Sequence, residues 1–367
     1  MRQNALPAVE EVNPEDDFQL LRETRKIIAD LFDPKPWVYW TDLLLVSVAG
    51  WTCFVFSAYL PWSHPIGLLA LAAGGLALYR ELGFNHDLSH IHGHWTRNFS
   101  IVWNTLLGIP FFQPTSMYGA SHMEHHSTKI YAGEQDPRYV PVGRGPRSGW
   151  VIPLLVHTWI VPIALAARFF ITGPISLIKG GAFRENIIKH ASTLKMNLKH
   201  VRRLPNRRLA KIAVIQELAC LAIWGSLIGL GIAGILPVKF FVSFYLVYVV
   251  LMALHYIRSL CLHRYARIGD GNLSLAEIIE DSVSFNRPAV FVELICPTNS
   301  CYHSLHHLFP TLPYHNLPKA HERLLKALDP KHPYIVSFVP SMVTVMKQLW
   351  AKCKENEEVL RPGYHDH

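Results

Sequence analysis

The stretch WTDLLLVSVAGWTCFVFSAYLPWSHPIGLLALAAGGLALYREL, residues 40–82, decides the class of fold. Trp40–Leu60 and Ile66–Leu82 are apolar runs near the roughly 17 to 25 residues that a helix needs to cross a bilayer, and only Pro61-Trp-Ser-His-Pro65 separates them. So short a connection makes them antiparallel neighbours. The pattern recurs at Ile212–Ile232 and Phe240–Ile257, joined through Gly234-Ile-Leu-Pro-Val-Lys239. Two hairpins return the chain to its starting side, which predicts an all-α integral membrane protein with four transmembrane helices.

Composition agrees. Half of the 367 residues are hydrophobic and only 17% are charged, against about 25% charged in ordinary soluble domains, so the membrane class has to be tested first. The net charge of +8 does not point to nucleic acid, because the basic residues lie between long apolar runs; an anionic lipid surface is the expected partner. Six cysteines without a CxxC pair suggest neither a disulfide framework nor a thiolate metal site. Met1–Lys35 is polar and partly acidic, so it reads as a weakly ordered tail and not as a cleaved signal peptide, with residues 36–367 forming one membrane domain.

Orientation follows from charge. Ten basic residues from Lys179 to Lys211 precede the third run with only Glu185 against them, whereas the hairpin tips carry just Lys239. By the positive-inside rule both termini and the central segment face the cytoplasm, in the inner membrane if the cell is bacterial. A fifth apolar run, Val151–Ile171, contains Pro153, His157, Pro162 and Arg168. As a true span it would put the histidine clusters on either side of it on opposite faces, so it is expected to be an interfacial or re-entrant helix.

Three clusters gather many of the 21 histidines: His86-Asp-Leu-Ser-His90, His122-Met-Glu-His125-His126 and His303-Ser-Leu-His306-His307. Residues at i, i+3 and i+4 share a helix face, so each cluster can aim two or three imidazoles at one point. Eight nitrogen donors exceed the needs of one metal ion. Two metals are implied, and a sulfur-free imidazole set suits Zn, Cu, Fe or Ni alike. For His64, His92, His94, His157, His190, His200 and His321 an ordinary structural role is expected. Asp87 and Glu124, inside the clusters, are candidates to orient imidazoles through the second ring nitrogen.

The order and placement of these clusters, two after the second apolar run and one after the fourth, resemble the membrane fatty acid desaturases. Further similarity lies in Asp136-Pro-Arg-Tyr139, in Arg258-Ser-Leu-Cys-Leu-His263-Arg-Tyr265, in Asp281-Ser-Val283 and in the string from His303 to Pro318. The resemblance runs from about Trp40 to Leu328. It implies a cytoplasmic helical cap holding two Fe2+ ions, with dioxygen as co-substrate. It also implies His263 as a ninth ligand beside the eight clustered histidines, with His255 as its competitor and His315 left in a supporting role. The implied reaction is desaturation of an aliphatic acyl chain. Electrons must come from a separate ferredoxin, cytochrome or reductase, because no dinucleotide fingerprint or fused cytochrome b5 motif occurs.

Three other readings share some of these features. A membrane hydroxylase or ketolase acting on a carotenoid, sphingoid, sterol or alkane would use the same histidines. A zinc protease would need HExxH, which is absent. A histidine-rich metal transporter would place its ligands near the bilayer midplane, whereas these follow the apolar runs.

Overall fold

The computed structural model describes residues 14–139, 146–267, 272–285 and 290–359. Helix α1 (Pro14–Ile27) precedes the first hairpin, α2 (Pro36–Tyr59) and α3 (Pro65–Leu82). Prolines at the first turn start both hairpin helices, where a missing N–H costs nothing. The two pack closely because small residues face each other: a Cβ on Gly74 would lie 2.8 Å from the Gly50 carbonyl oxygen. Such small-residue contacts are how helices associate in lipid. Arg80 grips Asp42 through two bonds of 2.6 and 2.7 Å at the other end of the hairpin.

After α3 the chain continues through Gly83, itself in helical backbone, into the short α4 (Phe84–Asp87), then forms α5 (Thr96–Trp103). Residues Asn104–Gly108 form a π-turn that dips among the long helices. Irregular backbone there needs internal partners, and aromatic side chains supply them. Trp51 Nε1 donates to the Leu106 carbonyl at 2.9 Å, Trp224 Nε1 to Pro110 at 3.0 Å and the Tyr248 hydroxyl to Phe111 at 2.5 Å. The sequence reading did not foresee this dip.

Then follow α6 (Gly119–His125), α7 (Ser148–Ala167), α8 (Gly173–Lys179) and α9 (Gly181–Ala191), and the second hairpin, α10 (Arg207–Ile232) and α11 (Val238–Leu262). The hairpin tips meet: Lys239 Nζ donates to the Ser57 carbonyl at 2.8 Å and the Tyr59 hydroxyl to that of Ile235 at 3.1 Å. Both tips therefore sit at one end of the bundle, and His86 and His263, which follow α3 and α11, sit at the other.

Among the described residues five helices are long and apolar enough to cross a membrane: the four expected spans and Val151–Lys179, which contains the fifth apolar run of the sequence. The ends of this excursion are tied to one layer. Before it lie Met117 and Pro137; after it, Leu194 N bonds the Met117 carbonyl at 3.0 Å and Met196 N that of Pro137 at 2.8 Å. The chain thus leaves and re-enters on the face that carries the histidines. Arg168, near the middle of the excursion, donates to Ser192 Oγ at 2.7 Å and to Glu217. Cysteines introduced at Ser148 and Lys199 should accordingly be labelled from the same side of intact spheroplasts, and one at Ser63 from the other. Labelling of the first two from opposite sides would contradict this topology.

The remaining segments cover the histidine end: α12 (Leu275–Asp281), α13 (Val290–Ile295), α14 (His303–Leu308), α15 (Leu317–Ala327), α16 (Pro333–Val336) and α17 (Met342–Val359), with a two-residue parallel pair, β1 (Ser284–Phe285) and β2 (Phe338–Val339). The expectation of a weakly ordered tail is corrected here for the described part of it. Ile28 and Leu31 are buried, Asp17 accepts from Leu275 N at 2.9 Å, and Asn316 Nδ2 donates to the Leu31 carbonyl at 2.6 Å. Polar composition concealed an amphipathic segment that packs on the cap. Residues 1–13 lie outside the described residues.

Candidate metal centre

All nine singled-out histidines converge. His86 and His90 come from α4 and the turn after it, and His122, His125 and His126 from α6 and its C-terminal cap. His263 stands in extended backbone just past α11, held by a bridge to Ser282, and α14 supplies His303, His306 and His307. They form two groups, His86, His90, His122 and His306 in one and His125, His263, His303 and His307 in the other. Within each group the ligand atoms lie within 4.8 Å of one another. His126 touches both groups: its Nε2 is 3.2 Å from that of His122 and 3.0 Å from that of His306 in the first, and its ring stacks on that of His307 in the second at 4.3 Å.

Hydrogen bonds fix which nitrogens face inward. His125 Nδ1 donates to the buried Asp136 at 2.9 Å, and that carboxylate also accepts from the backbone N–H of Ala132, Arg138 and Tyr139. The Tyr131 hydroxyl donates to Asp281 at 2.9 Å and has one hydrogen to give, so it accepts from His263 Nδ1, also at 2.9 Å. Both imidazoles are left with a bare Nε2. His303 Nε2 lies 3.0 Å from His263 Nε2 and 3.1 Å from His307 Nε2, and lone pairs that close repel unless something positive lies among them. That separation suits nitrogens sharing one ion at roughly 2.0–2.1 Å each. His90 Nε2 is buried without a partner among the described residues, a second sign that these nitrogens are arranged to hold a cation.

Electrostatics point the same way. Burial holds His122, His126, His263, His303, His306 and His307 well below the ordinary histidine range, and neighbouring imidazoles add to the effect. His90 is pushed down to about 4. Neutral imidazoles keep the lone pair that a metal needs. The donor set therefore fits two metal ions.

The structure sorts the other candidates. His255 belongs to neither group; its Nδ1 accepts from Arg258 Nη2 at 2.9 Å and its ring stacks on His157. His315 lies against Tyr39 and Tyr314, apart from both groups. Asp87 does contact its neighbour, with Oδ1 3.3 Å from His86 Nδ1, and accepts from the Tyr39 hydroxyl. Glu124 does not orient a clustered imidazole: its carboxylate meets His200 Nε2 at 2.7 Å. Sequence reasoning missed Asp136, Tyr131 and Asp281 in these roles. The first and last stand in motifs that the resemblance had already marked.

Residues 60–339 match the fatty acid desaturase family. The chain is also 32% identical, over 346 residues, to a ceramide hydroxylase of Caulobacter vibrioides (strain NA1000 / CB15N), covering 94% of this chain and 97% of that protein. Long apolar helices, clustered imidazoles and a match well beyond half its length place this multi-pass membrane chain in the fatty acid desaturase family.

Proposed function

We propose that this protein is an oxygen-dependent membrane oxidoreductase that hydroxylates an aliphatic carbon of a ceramide-like lipid. The observation that carries the reading is the nine-histidine, two-group site in a chain similar over nearly its whole length to a ceramide hydroxylase. Iron at both groups, held by His86, His90, His122, His125, His126, His263, His303, His306 and His307, would supply the oxidation of an unactivated C–H bond by dioxygen with two electrons from outside. A methylene offers no acid–base route, because nothing beside it stabilises the charge left behind.

The protein's own residues have three tasks in this reading. Asp136 and the Tyr131–Asp281 pair hold His125 and His263 with Nε2 turned inward. The cap over the site excludes bulk water, and the helix bundle delivers an apolar chain from the membrane. The basic segment from Lys179 to Lys211 supports a cytoplasmic site, where a separate ferredoxin, cytochrome or reductase would dock.

Desaturation of an acyl chain, expected from the sequence, is the second reading, favoured by the motifs around the third histidine cluster and by the family match. The two differ in whether a second C–H reaches the oxidant before oxygen is returned to the first carbon, a matter of about 1 Å in placement. Feeding lipid chains dideuterated on adjacent carbons separates them. Hydroxylation gives a product with one added oxygen and one deuterium lost; loss of both deuteriums with no oxygen gained would establish desaturation.

A further inference from the structure

Two arginines beside the imidazoles have unused donors. Arg138 lies in the loop after α6 with its guanidinium carbon 4.1 Å from the Tyr118 ring. That ring is 5.1 Å from the His122 ring, so the guanidinium is within about 9 Å of His122. Its Nε and Nη2 are buried without a partner among the described residues. Arg258, in the last turns of α11, gives Nη2 to His255 and leaves Nε buried and, among the described residues, unpartnered.

Both arginines line a cavity of about 50 Å3 whose wall includes His86, His122, His263 and His303. Ser300, whose Oγ is likewise buried and unpartnered, lines it too. A second space of about 30 Å3 also touches His86, Tyr118 and Arg258 and extends past Tyr79, Leu82 and Met252, between α3 and α11. The first cavity has room for a small polar group, and the second leads towards apolar helix.

Buried guanidinium donors without an acceptor are costly, and an arginine near the end of an apolar helix marks a working site more often than a structural one. Water can satisfy single N–H groups, but several donors from two guanidinium groups and a hydroxyl face one small space, which suits two or more acceptor oxygens held on one molecule. The unmet requirement is for acceptor oxygens, arriving on a group whose apolar remainder leaves between α3 and α11.

We propose that Arg138, Arg258 and Ser300 form the polar-head subsite of the lipid substrate. They grip the carbonyl and hydroxyl oxygens of its head and thereby confine oxidation to a carbon close to that head. The lipid's identity rests on the function proposed above; the anchoring does not. A head oxygen hydrogen bonded to Arg138 stands about 3 Å from the guanidinium on the side of the imidazoles. An extended chain advances roughly 1.2 Å per bond, so the carbon presented to the site is within about five of the anchored group. A mid-chain carbon, eight or more bonds away, would overshoot a site this near.

The test expresses the wild type and the Arg138→Gln and Arg258→Gln variants in a host supplied with ceramide, and locates the modification by tandem mass spectrometry. In the wild type it should fall within about five carbons of the amide. In both variants KM should rise about tenfold or more, binding of radiolabelled short-chain ceramide to purified holoprotein should weaken in step, and residual product should spread along the chain. Metal content should stay at the wild-type level, and the corresponding lysine variants should recover part of the affinity.

A wild-type product modified beyond the eighth carbon would overturn the proposal. So would glutamine variants with unchanged KM and product position, or glutamine variants that lose metal, since these residues would then serve the imidazoles and not the lipid. If the wild type leaves ceramide untouched but oxidises another lipid of the host, the functional reading fails and the head subsite is judged on the carbon modified in that lipid. If it oxidises none, wild-type and variant affinities for the radiolabelled ceramide decide the subsite alone, and equal affinities reject it.

Discussion

His263→Ala should leave the protein inserted in the membrane but reduce turnover by at least about a thousandfold, equivalent to roughly 4 kcal/mol of transition-state stabilisation. Metal content should fall from two ions per chain towards one. The reason is geometric: the His263 Nε2 is 3.0 Å from that of His303 and is kept bare by the Tyr131 hydroxyl on its other nitrogen. His255, the nearest competitor in sequence, does not take that position, because it is turned away into its bond with Arg258. His255→Ala should therefore retain both metals, whatever it does to lipid binding. Elemental analysis of the two purified variants decides between them. Loss of metal from His255→Ala with retention in His263→Ala would reverse the assignment.

Asp136→Asn should weaken metal retention and turnover by about 10- to 100-fold, the usual scale for a group that holds a ligand in place. Asp136 accepts from His125 and from three backbone N–H groups, and both of its oxygens are used. Asparagine has nearly the same shape but must turn its amide hydrogens towards one of those donors. The loop must open or the His125 ring must rotate. Chelator competition on the purified protein measures the change. Glu124→Gln is the informative contrast, because its partner is His200, outside both histidine groups; its effect should stay within a few fold. Equal losses in the two variants would mean that Asp136 supports the fold in general and not His125.

The hairpins were readable because a membrane span is a matter of length and composition over consecutive residues, and Pro61–Pro65 and Gly234–Lys239 leave no room for another connection. The convergence of the histidines was readable because i, i+3, i+4 spacing is local. What escaped was long-range. Tyr131 and Asp281 are 150 positions apart, and nothing near either residue announces that Asp281 will orient the Tyr131 hydroxyl that meets His263. Glu124 was misassigned for the same reason: its place inside a cluster suggested a neighbour, and its partner lies 76 residues on. The helix at Pro14–Ile27 was hidden by its charge, since an amphipathic segment that packs on a cap has the composition of a solvated tail. The dip at Asn104–Gly108 depends on tryptophans from α2 and α10 that carry no local sign of their acceptors.

The sharing of early and late histidines within each group has a consequence for how the protein is made. One group joins His86, His90 and His122 to His306, and the other joins His125 to His263, His303 and His307. Neither group is complete until synthesis has passed α14, by which time both hairpins have been made. A ribosome stalled before His303 would hold a chain able to insert both hairpins yet unable to close either coordination sphere. Metal ions held by these groups would therefore be loaded late in biogenesis, and would fasten the first half of the chain to the last. Because an ion bound only by the folded form adds to its stability in proportion to the logarithm of its free concentration, iron supply would govern how firmly that fastening holds as well as whether the enzyme can turn over.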